Sequence, residues 1–146
     1  MIPKNLQPLF DSARSARENS YSPYSRFRVG ATVRMRDGRS FSGSNVENAS
    51  YGGAICAERV AILKAINETA TSANTTGARP FIEELLVVTD TSPPASPCGF
   101  CRQVIAEFAD PKTLIHTCNL KGDIRTFTFE ELVPQAFTPD QLPPAK

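Results

Sequence analysis

One glutamate and three of the chain's four cysteines carry the first chemical signal in this sequence. Cys56 lies two residues before Glu58, and Cys98 and Cys101 form a Cys-x-x-Cys pair further along the chain. Two thiolates at this spacing can chelate one tetrahedral ion, and a distant cysteine can supply a third ligand. Zinc suits thiolates because it is borderline soft and has no redox chemistry of its own. A structural zinc site fills all four positions, so a pair plus a lone cysteine predicts a catalytic site with an open position for water.

Glu58 and Arg59 follow Cys56 directly and are expected to serve the same site. A helix turns Glu58 about 200° away from the direction of Cys56, so it can reach water or substrate without being a ligand. This is the position required of a general acid and base. Three thiolates on a divalent ion leave a net negative charge, which two helix N-termini of about +0.5 each would offset. We expect Arg59 to tune the thiolates in the same sense.

The elements that must position these residues follow from the hydrophobic periodicity. A helix is predicted to begin near Cys56 and to end near Asn67, and a second over about Cys98–Phe108. The helix from Cys56 is apolar almost all round, which indicates burial on more than one side, by sheet and by another subunit. Residues 69–80 are predicted to be a polar loop. The other predicted elements are a helix over residues 4–19, strands at Phe27–Met35, Ser40–Val46, Phe81–Thr89, Thr113–Cys118 and Ile124–Phe129, an Asp37-Gly38 hairpin turn, and a short helix at Phe129–Leu132.

The order of these elements predicts a single α/β domain over residues 1–146, with one mixed sheet layered by helices. The length of 146 residues and the 40% hydrophobic content fit one soluble domain. A net charge of +1 is too small for the chain as a whole to attract nucleic acid. We interpret the arginines of the N-terminal third as solvent-exposed surface residues. No apolar run approaches the ~20 residues of a membrane span. The start of the chain lacks a secretory signal, so a cytoplasmic protein is expected.

Two segments carry a resemblance to a known family: NVENASYGGAICAERVAILKA at residues 45–65 and SPCGFCRQVIAEF at residues 96–108. They closely resemble the small, homotetrameric cytidine deaminases of the cytidine/deoxycytidylate deaminase family. The resemblance extends through residues 21–31 and 137–142 and covers nearly the whole chain. Zinc deaminases as a class combine a Cys₃ or His-Cys₂ metal site with a non-ligand glutamate and a Pro-Cys-x-x-Cys segment.

The resemblance implies a three-layer α/β/α fold with a mixed five-stranded sheet and one zinc ion per subunit. It implies hydrolytic deamination of cytidine and deoxycytidine to uridine and deoxyuridine with release of ammonia, in pyrimidine salvage. Zinc would acidify its water, hydroxide would attack C4 of the base, and Glu58 would shuttle the protons.

Further site residues are implied by the resemblance alone. Phe27 would pack on the pyrimidine, Asn45 and Glu47 would hold the ribose hydroxyls, and the amide of Ala57 would hold the base carbonyl. Tyr51 and Phe137 would reach the site across subunit boundaries of a homotetramer.

Some positions depart from the common family pattern, among them Ser44, where a cysteine is frequent, and Phe100, in a slot that is often small. None of them is a predicted ligand. They leave the substrate range open.

Several alternatives remain open at this point. Cys98-Gly99-Phe100-Cys101 at a helix start is also the setting of thiol–disulfide oxidoreductases. His116, the only histidine, could complete a closed Cys₃His structural site in a zinc-stabilised binding module. Cys118 is interpreted as a buried apolar residue. Within deaminases, a nucleoside antibiotic or a polynucleotide cytosine is the alternative substrate, although a single-strand reader would be expected to show a basic groove with stacking aromatics.

Overall fold

The computed structural model describes residues 1–76 and 79–143, with side chains given for all of these except residues 70–76. Within these residues, nine helices and strands follow one another. They are α1 (Gln7–Arg17), β1 (Gly30–Met35), β2 (Ser40–Ser44), α2 (Ala57–Thr76), β3 (Ile82–Thr89), α3 (Gly99–Phe108), β4 (Leu114–Asn119), β5 (Ile124–Thr128) and α4 (Phe129–Leu132), with short 3₁₀ turns at Tyr51–Gly53 and Pro139–Gln141.

The strands form one mixed sheet in the order β2-β1-β3-β4-β5. Among the strands that the structure describes, β3 and β4 are the parallel pair and are joined by a crossover through α3. The other neighbouring pairs in this sheet are antiparallel. The β1–β2 hairpin turns where predicted, with Gly38 at a φ of 87°. That left-handed backbone is why glycine follows Asp37 here. The five-stranded mixed sheet is confirmed.

Helices cover both faces of the sheet, which confirms the three-layer α/β/α prediction. On one face α1 buries Leu9, Phe10 and Ala13 against Leu86 and Val88 of β3. On the other face α2, α3 and α4 bury the larger core, in which Leu85 and Val87 of β3 point the opposite way from their neighbours. A strand buried on both faces explains the unbroken apolar run in β3.

Two glycines allow the outer layers to approach the sheet closely. A Cβ at Gly30 would collide with the carbonyl oxygen of Ala13 in α1. A Cβ at Gly43 would lie 2.7 Å from the backbone nitrogen of Ala61 in α2. The edge of the sheet is therefore held directly against the helix that follows Cys56.

A buried polar network crosses the sheet on the α1 side. Glu84 of β3 pairs with Arg34 of β1 and lies 2.9 Å from Nε2 of His116 in β4. The other ring nitrogen of His116 lies 2.9 Å from the hydroxyl of Thr126 in β5. Burial, and then the charge of Arg34, lower the pKa of His116 to about 4. Both ring nitrogens are occupied here, so His116 is not a fourth ligand of the cysteine site.

Two sequence predictions were wrong. The helix after Cys56 continues to Thr76, so most of the predicted polar loop at 69–80 is helical; its residues 77 and 78 lie outside the described part. The run of small polar residues there has no strong helix breaker before Gly77, and the hydroxyl of Thr69 bonds the carbonyl of Ala65 at 2.8 Å.

Phe27 is also outside the strand that was predicted to begin there. The preceding Arg26 has a φ of 59°, and the Ser25 hydroxyl accepts the amide of Phe27 at 3.0 Å. A local hydrogen bond to a side chain therefore replaces the hydrogen bonds between strands at Phe27.

Candidate metal centre

Three cysteine sulfurs meet where two helices begin. Cys56 directly precedes α2, and Cys98 is the N-cap residue of α3. Their Sγ atoms lie 3.9 Å apart, and the Sγ atoms of Cys56, Cys98 and Cys101 all lie within 4.8 Å of one another. Sulfurs bound about 2.3 Å from a tetrahedral zinc ion would be separated by about 3.8 Å. The donor set and its spacing therefore fit zinc.

Hydrogen bonds within this cluster favour a thiolate on Cys56. Its pKa is lowered to about 5, first by the hydrogen bond from Cys101 and then by Arg59 and Cys98, against the effect of burial. The pKa of Cys101 is raised, chiefly because its thiol donates that bond. The two sulfurs share one proton and titrate as a pair. Thiolate is the form that binds metal, so the folded chain favours the metal-binding form of Cys56.

Arg59 lies against the cluster, as predicted. Its Nη2 atom lies 3.7 Å from Sγ of Cys56 and 3.4 Å from the carbonyl oxygen of Ala54. The guanidinium thus places a positive charge beside the Cys56 sulfur, where it offsets part of the negative charge of the thiolates. This position is consistent with the predicted tuning of the thiolates.

Glu58 is buried beside the cysteines, with 5% of its surface exposed. Burial raises the pKa of its carboxyl to about 7, and the nearby Cys56 adds to the rise. A carboxyl in this environment can exist in both protonation states near neutral pH. It also lies in the first turn of α2, where its backbone is fixed by the helix.

A cavity of about 160 Å³ joins the glutamate to the cysteines. Its wall includes Cys56, Glu58 and Cys98, together with the predicted residues Phe27 and Asn45. Because the acid/base candidate and two of the cysteines line one space, a small molecule in the cavity would lie beside both. A larger cleft of about 410 Å³ lies near the C-terminal end of α3 and contains none of the predicted site residues.

Asn45 and Glu47 organise the loop that carries Phe27. The Asn45 side chain accepts the amide of Val29 at 2.8 Å and donates to the carbonyl of Phe27 at 2.7 Å. The Glu47 carboxylate accepts the amide of Tyr24 at 2.8 Å, and bonds from the Ser25 hydroxyl and from that backbone amide hold its pKa below the usual range. An amide has a second N–H and a carboxylate has further lone pairs, so both retain bonding capacity.

The remaining predicted residues are less central in the single chain. Ala57 is fully buried as the first residue of α2, so its amide has no partner within the helix. Tyr51 is 79% exposed and lines a separate cavity of about 380 Å³ whose wall also includes Glu47. Phe137 is 56% exposed and lies outside the cavity beside the cysteines, with its carbonyl accepting a bond from Gln103 at 3.0 Å.

The sequence reasoning missed Arg102, which braces the segment before Cys98. Its guanidinium donates to the carbonyls of Pro97 at 2.9 Å and Leu132 at 2.8 Å, and to the hydroxyl of Ser96 at 3.0 Å. Thr89 at the end of β3 was also missed and lines the cavity. The position of Arg102 one residue after the Cys-x-x-Cys pair was the available signal. Cys118 is buried under α1, on the opposite face of the sheet, which agrees with its interpretation as an apolar residue.

Comparison with known proteins agrees with this geometry. Residues 3–117 match the family model described as the cytidine and deoxycytidylate deaminase zinc-binding region. The chain is 46% identical, over 136 residues, to a protein of Halalkalibacterium halodurans named cytidine deaminase, covering 93% of this chain and 96% of the relative. A protein of the same name from Sporosarcina psychrophila is 43% identical over 138 residues, covering 94% and 95% of the two chains.

A solved structure shares the architecture as well as the sequence. The crystal structure of a cytidine deaminase from Burkholderia pseudomallei aligns with a TM-score of 0.76 at 42% identity. The alignment covers 90% of this chain and 98% of that one.

Proposed function

The chain belongs to the family of zinc-dependent cytidine and deoxycytidylate deaminases, and on this premise we propose which residues perform the reaction. The protein is a hydrolase that converts cytidine and deoxycytidine to uridine and deoxyuridine with release of ammonia, and zinc is its cofactor. Cys56, Cys98 and Cys101 bind one zinc ion per subunit, and Glu58 is the acid and base. The observation that carries this assignment is that buried Glu58 lines the same small cavity as Cys56 and Cys98.

Zinc, when bound, lowers the pKa of water toward ~7 and so supplies a nucleophile at neutral pH. The protein's own part is proton transfer. The Glu58 carboxylate takes a proton from the attacking water and passes it to N3 of the base. It then takes the second proton of that water from the new C4 hydroxyl and gives it to the departing amino group. One water is consumed, its oxygen remains on C4, and the amino nitrogen leaves as ammonia. Glu58 ends each cycle in the state in which it began.

The walls of the cavity match a pyrimidine nucleoside. Phe27, which is 42% exposed, offers a ring face for the base. The amide of Ala57, next to Cys56 in the chain and without a partner inside α2, is the donor for the base carbonyl oxygen. Asn45 and Glu47 bind the ribose hydroxyls with the donor and acceptor capacity that the loop bonds leave unused.

The active protein is a homotetramer in which Tyr51 and Phe137 complete neighbouring sites. Large apolar side chains are exposed at Tyr51 (79%), Phe137 (56%) and Leu63 (52%), and Leu63 lies on the outer face of α2. Exposure of this kind supports burial against other subunits. Light scattering is expected to give a mass of four chains, and a monomer at working concentration would contradict the assembly.

The protein acts in the cytoplasm, in pyrimidine salvage, as a single domain over residues 1–146. A three-thiolate site needs reduced cysteines, and the cytosol keeps thiols reduced. Within the described residues, no helix is long and apolar enough to cross a membrane. Cell fractionation would test the location, with activity expected in the cytosolic fraction.

A substrate panel tests the function. Purified protein is assayed by ultraviolet absorbance on cytidine, deoxycytidine, free cytosine and adenosine. Turnover of the first two alone supports the proposal. If none of the four compounds is converted and the protein instead reduces the disulfide of a test protein, the thiol–disulfide oxidoreductase would be favoured.

A further inference from the structure

Phe100 occupies an unusual position for a large apolar residue. It lies between Cys98 and Cys101 in the first turn of α3, and 68% of its surface is exposed. An exposed phenylalanine between two metal ligands adds nothing to the core. The contacts of its ring therefore indicate its role.

The contact is with the guanidinium of Arg59, which comes from the other helix of the site. The Cζ atom of Arg59 lies 4.4 Å from the centroid of the Phe100 ring. This is well within the ~6 Å at which a cation is attracted to an aromatic face. The same guanidinium holds the sulfur of Cys56 at 3.7 Å through Nη2. One arginine thus connects a ring on α3 to a ligand on α2.

The Nε atom of Arg59 makes the role of the ring more specific. It is buried and has no hydrogen-bond partner among the described residues. A guanidinium with an unpaired buried nitrogen is held less firmly than one bonded on every side. The ring face is the group that offsets this deficit, because its negative quadrupole attracts the cation.

We propose that Phe100 is a positioning residue of the metal centre, whose ring caps the guanidinium of Arg59 and holds it against the sulfur of Cys56. The inference rests on the proposed zinc ligands. The ring shields one side of the cation from water, so the guanidinium keeps a fixed place beside the thiolate. Loss of the ring releases the arginine and weakens retention of the metal, while the three cysteines remain.

The test measures zinc dissociation from the purified zinc-loaded protein into a chromogenic chelator. Phe100→Leu retains apolar bulk and removes the ring, and release is expected to accelerate about twofold to fivefold. Phe100→Tyr retains the ring and is expected to restore the wild-type rate. The matched control is Phe81→Leu, because Phe81 also packs on arginines, Arg36 at 4.8 Å and Arg79 at 4.9 Å, at the far end of β3 from the cysteines. This control is expected to leave the release rate unchanged.

A double-variant cycle separates positioning from a general structural effect. Arg59→Gln alone accelerates release, and adding Phe100→Leu to it is expected to change nothing further, because the ring acts through the arginine. Additive effects, or equal release from wild type and Phe100→Leu, would overturn the inference. If wild-type protein binds zinc and deaminates cytidine while Phe100→Leu releases zinc normally, this inference fails and the proposed function stands. Wild-type protein that binds no zinc would overturn the proposed function itself.

Discussion

The Sγ atoms of Cys56 and Cys98 lie 3.9 Å apart, and the two residues occupy equivalent places in front of α2 and α3. The carbonyl of Cys56 accepts the amide of Val60, and that of Cys98 accepts the amide of Arg102, as the first helical bonds of the two helices. Both sulfurs are therefore next to the positive end of a helix. The N-termini of α2 and α3 lie side by side, so two motifs that are distant in the sequence form one site. The positive ends of both helices stabilise the negative charge of the three thiolates there.

Removal of one ligand is expected to abolish metal binding. Cys98→Ala leaves two sulfurs, so the protein should lose both zinc and deaminase activity. Zinc content by atomic absorption and the rate on cytidine would be measured on the same sample. Cys118→Ala is the matched control, because Cys118 is buried on the opposite face of the sheet, and it should retain full zinc. Zinc loss in the control alone would reverse the assignment.

Replacement of the buried acid is expected to separate binding from chemistry. Glu58→Gln has nearly the same volume but cannot carry a proton, so turnover should fall by at least about 10²–10⁴-fold. Zinc content should be unchanged, since Glu58 is not among the three ligands. Glu68→Gln makes the same change at an exposed position on the same helix and should leave the rate unaltered. Near-normal turnover by Glu58→Gln would remove Glu58 from the mechanism.

Close contact between β2 and α2 is expected to matter for the stability of the site. In Gly43→Ala the new Cβ would meet the backbone of Ala61 at 2.7 Å, so α2 must shift. The expected cost is about 1–3 kcal/mol in the free energy of unfolding, measured by urea denaturation. Zinc should also dissociate faster because Cys56 precedes α2. Gly52→Ala is the control, because nothing lies within 4 Å of the new Cβ, and it should change neither the stability nor the zinc release rate. Equal losses of stability in the two variants would contradict a specific role for the contact between Gly43 and α2.

The polar network on the α1 face predicts a loss of stability in mild acid. The pKa of His116 is lowered from 6.5 to about 4 in the folded protein, so between these values the unfolded chain binds more protons. Stability from this group is therefore complete above about pH 6.5 and is lost as the pH falls toward 4, by about 2 kcal/mol at pH 5. Urea unfolding of wild type and His116→Gln at pH 7 and pH 5 would measure it. The variant should show the smaller change, and an equal change in both proteins would contradict the prediction.

The sequence was sufficient for the elements with strong periodicity. The unbroken apolar run in β3 and the Asp37-Gly38 turn were both predicted and confirmed. The spacing of Cys56, Cys98 and Cys101 also indicated one cluster, and their sulfurs do meet. The turn follows from a local rule, a glycine with positive φ, and the Cys-x-x-Cys spacing indicates a chelating pair. The joining of Cys56 to that pair was inferred from residue types, and the folded chain shows it.

Other features depend on contacts that the sequence does not reveal. Polar residues at 69–76 weaken the helical pattern, yet α2 continues through them. Phe27 continues an alternating pattern, but its amide donates to the Ser25 hydroxyl and its carbonyl accepts from Asn45, which holds it in a loop. The brace formed by Arg102 joins the segment before Cys98 to the last residue of α4, so only the folded chain shows it. The pairing of Arg59 with Phe100 likewise requires the two helix starts to be adjacent.

Removal and return of zinc tests the central claim most directly. The purified protein is freed of metal with a chelator, and its rate on cytidine is measured by ultraviolet absorbance before and after addition of zinc. Zinc-dependent catalysis at the Cys56, Cys98 and Cys101 site predicts an inactive metal-free protein whose rate is restored at one zinc per chain, and not by magnesium. Full activity on cytidine in the metal-free protein would contradict it.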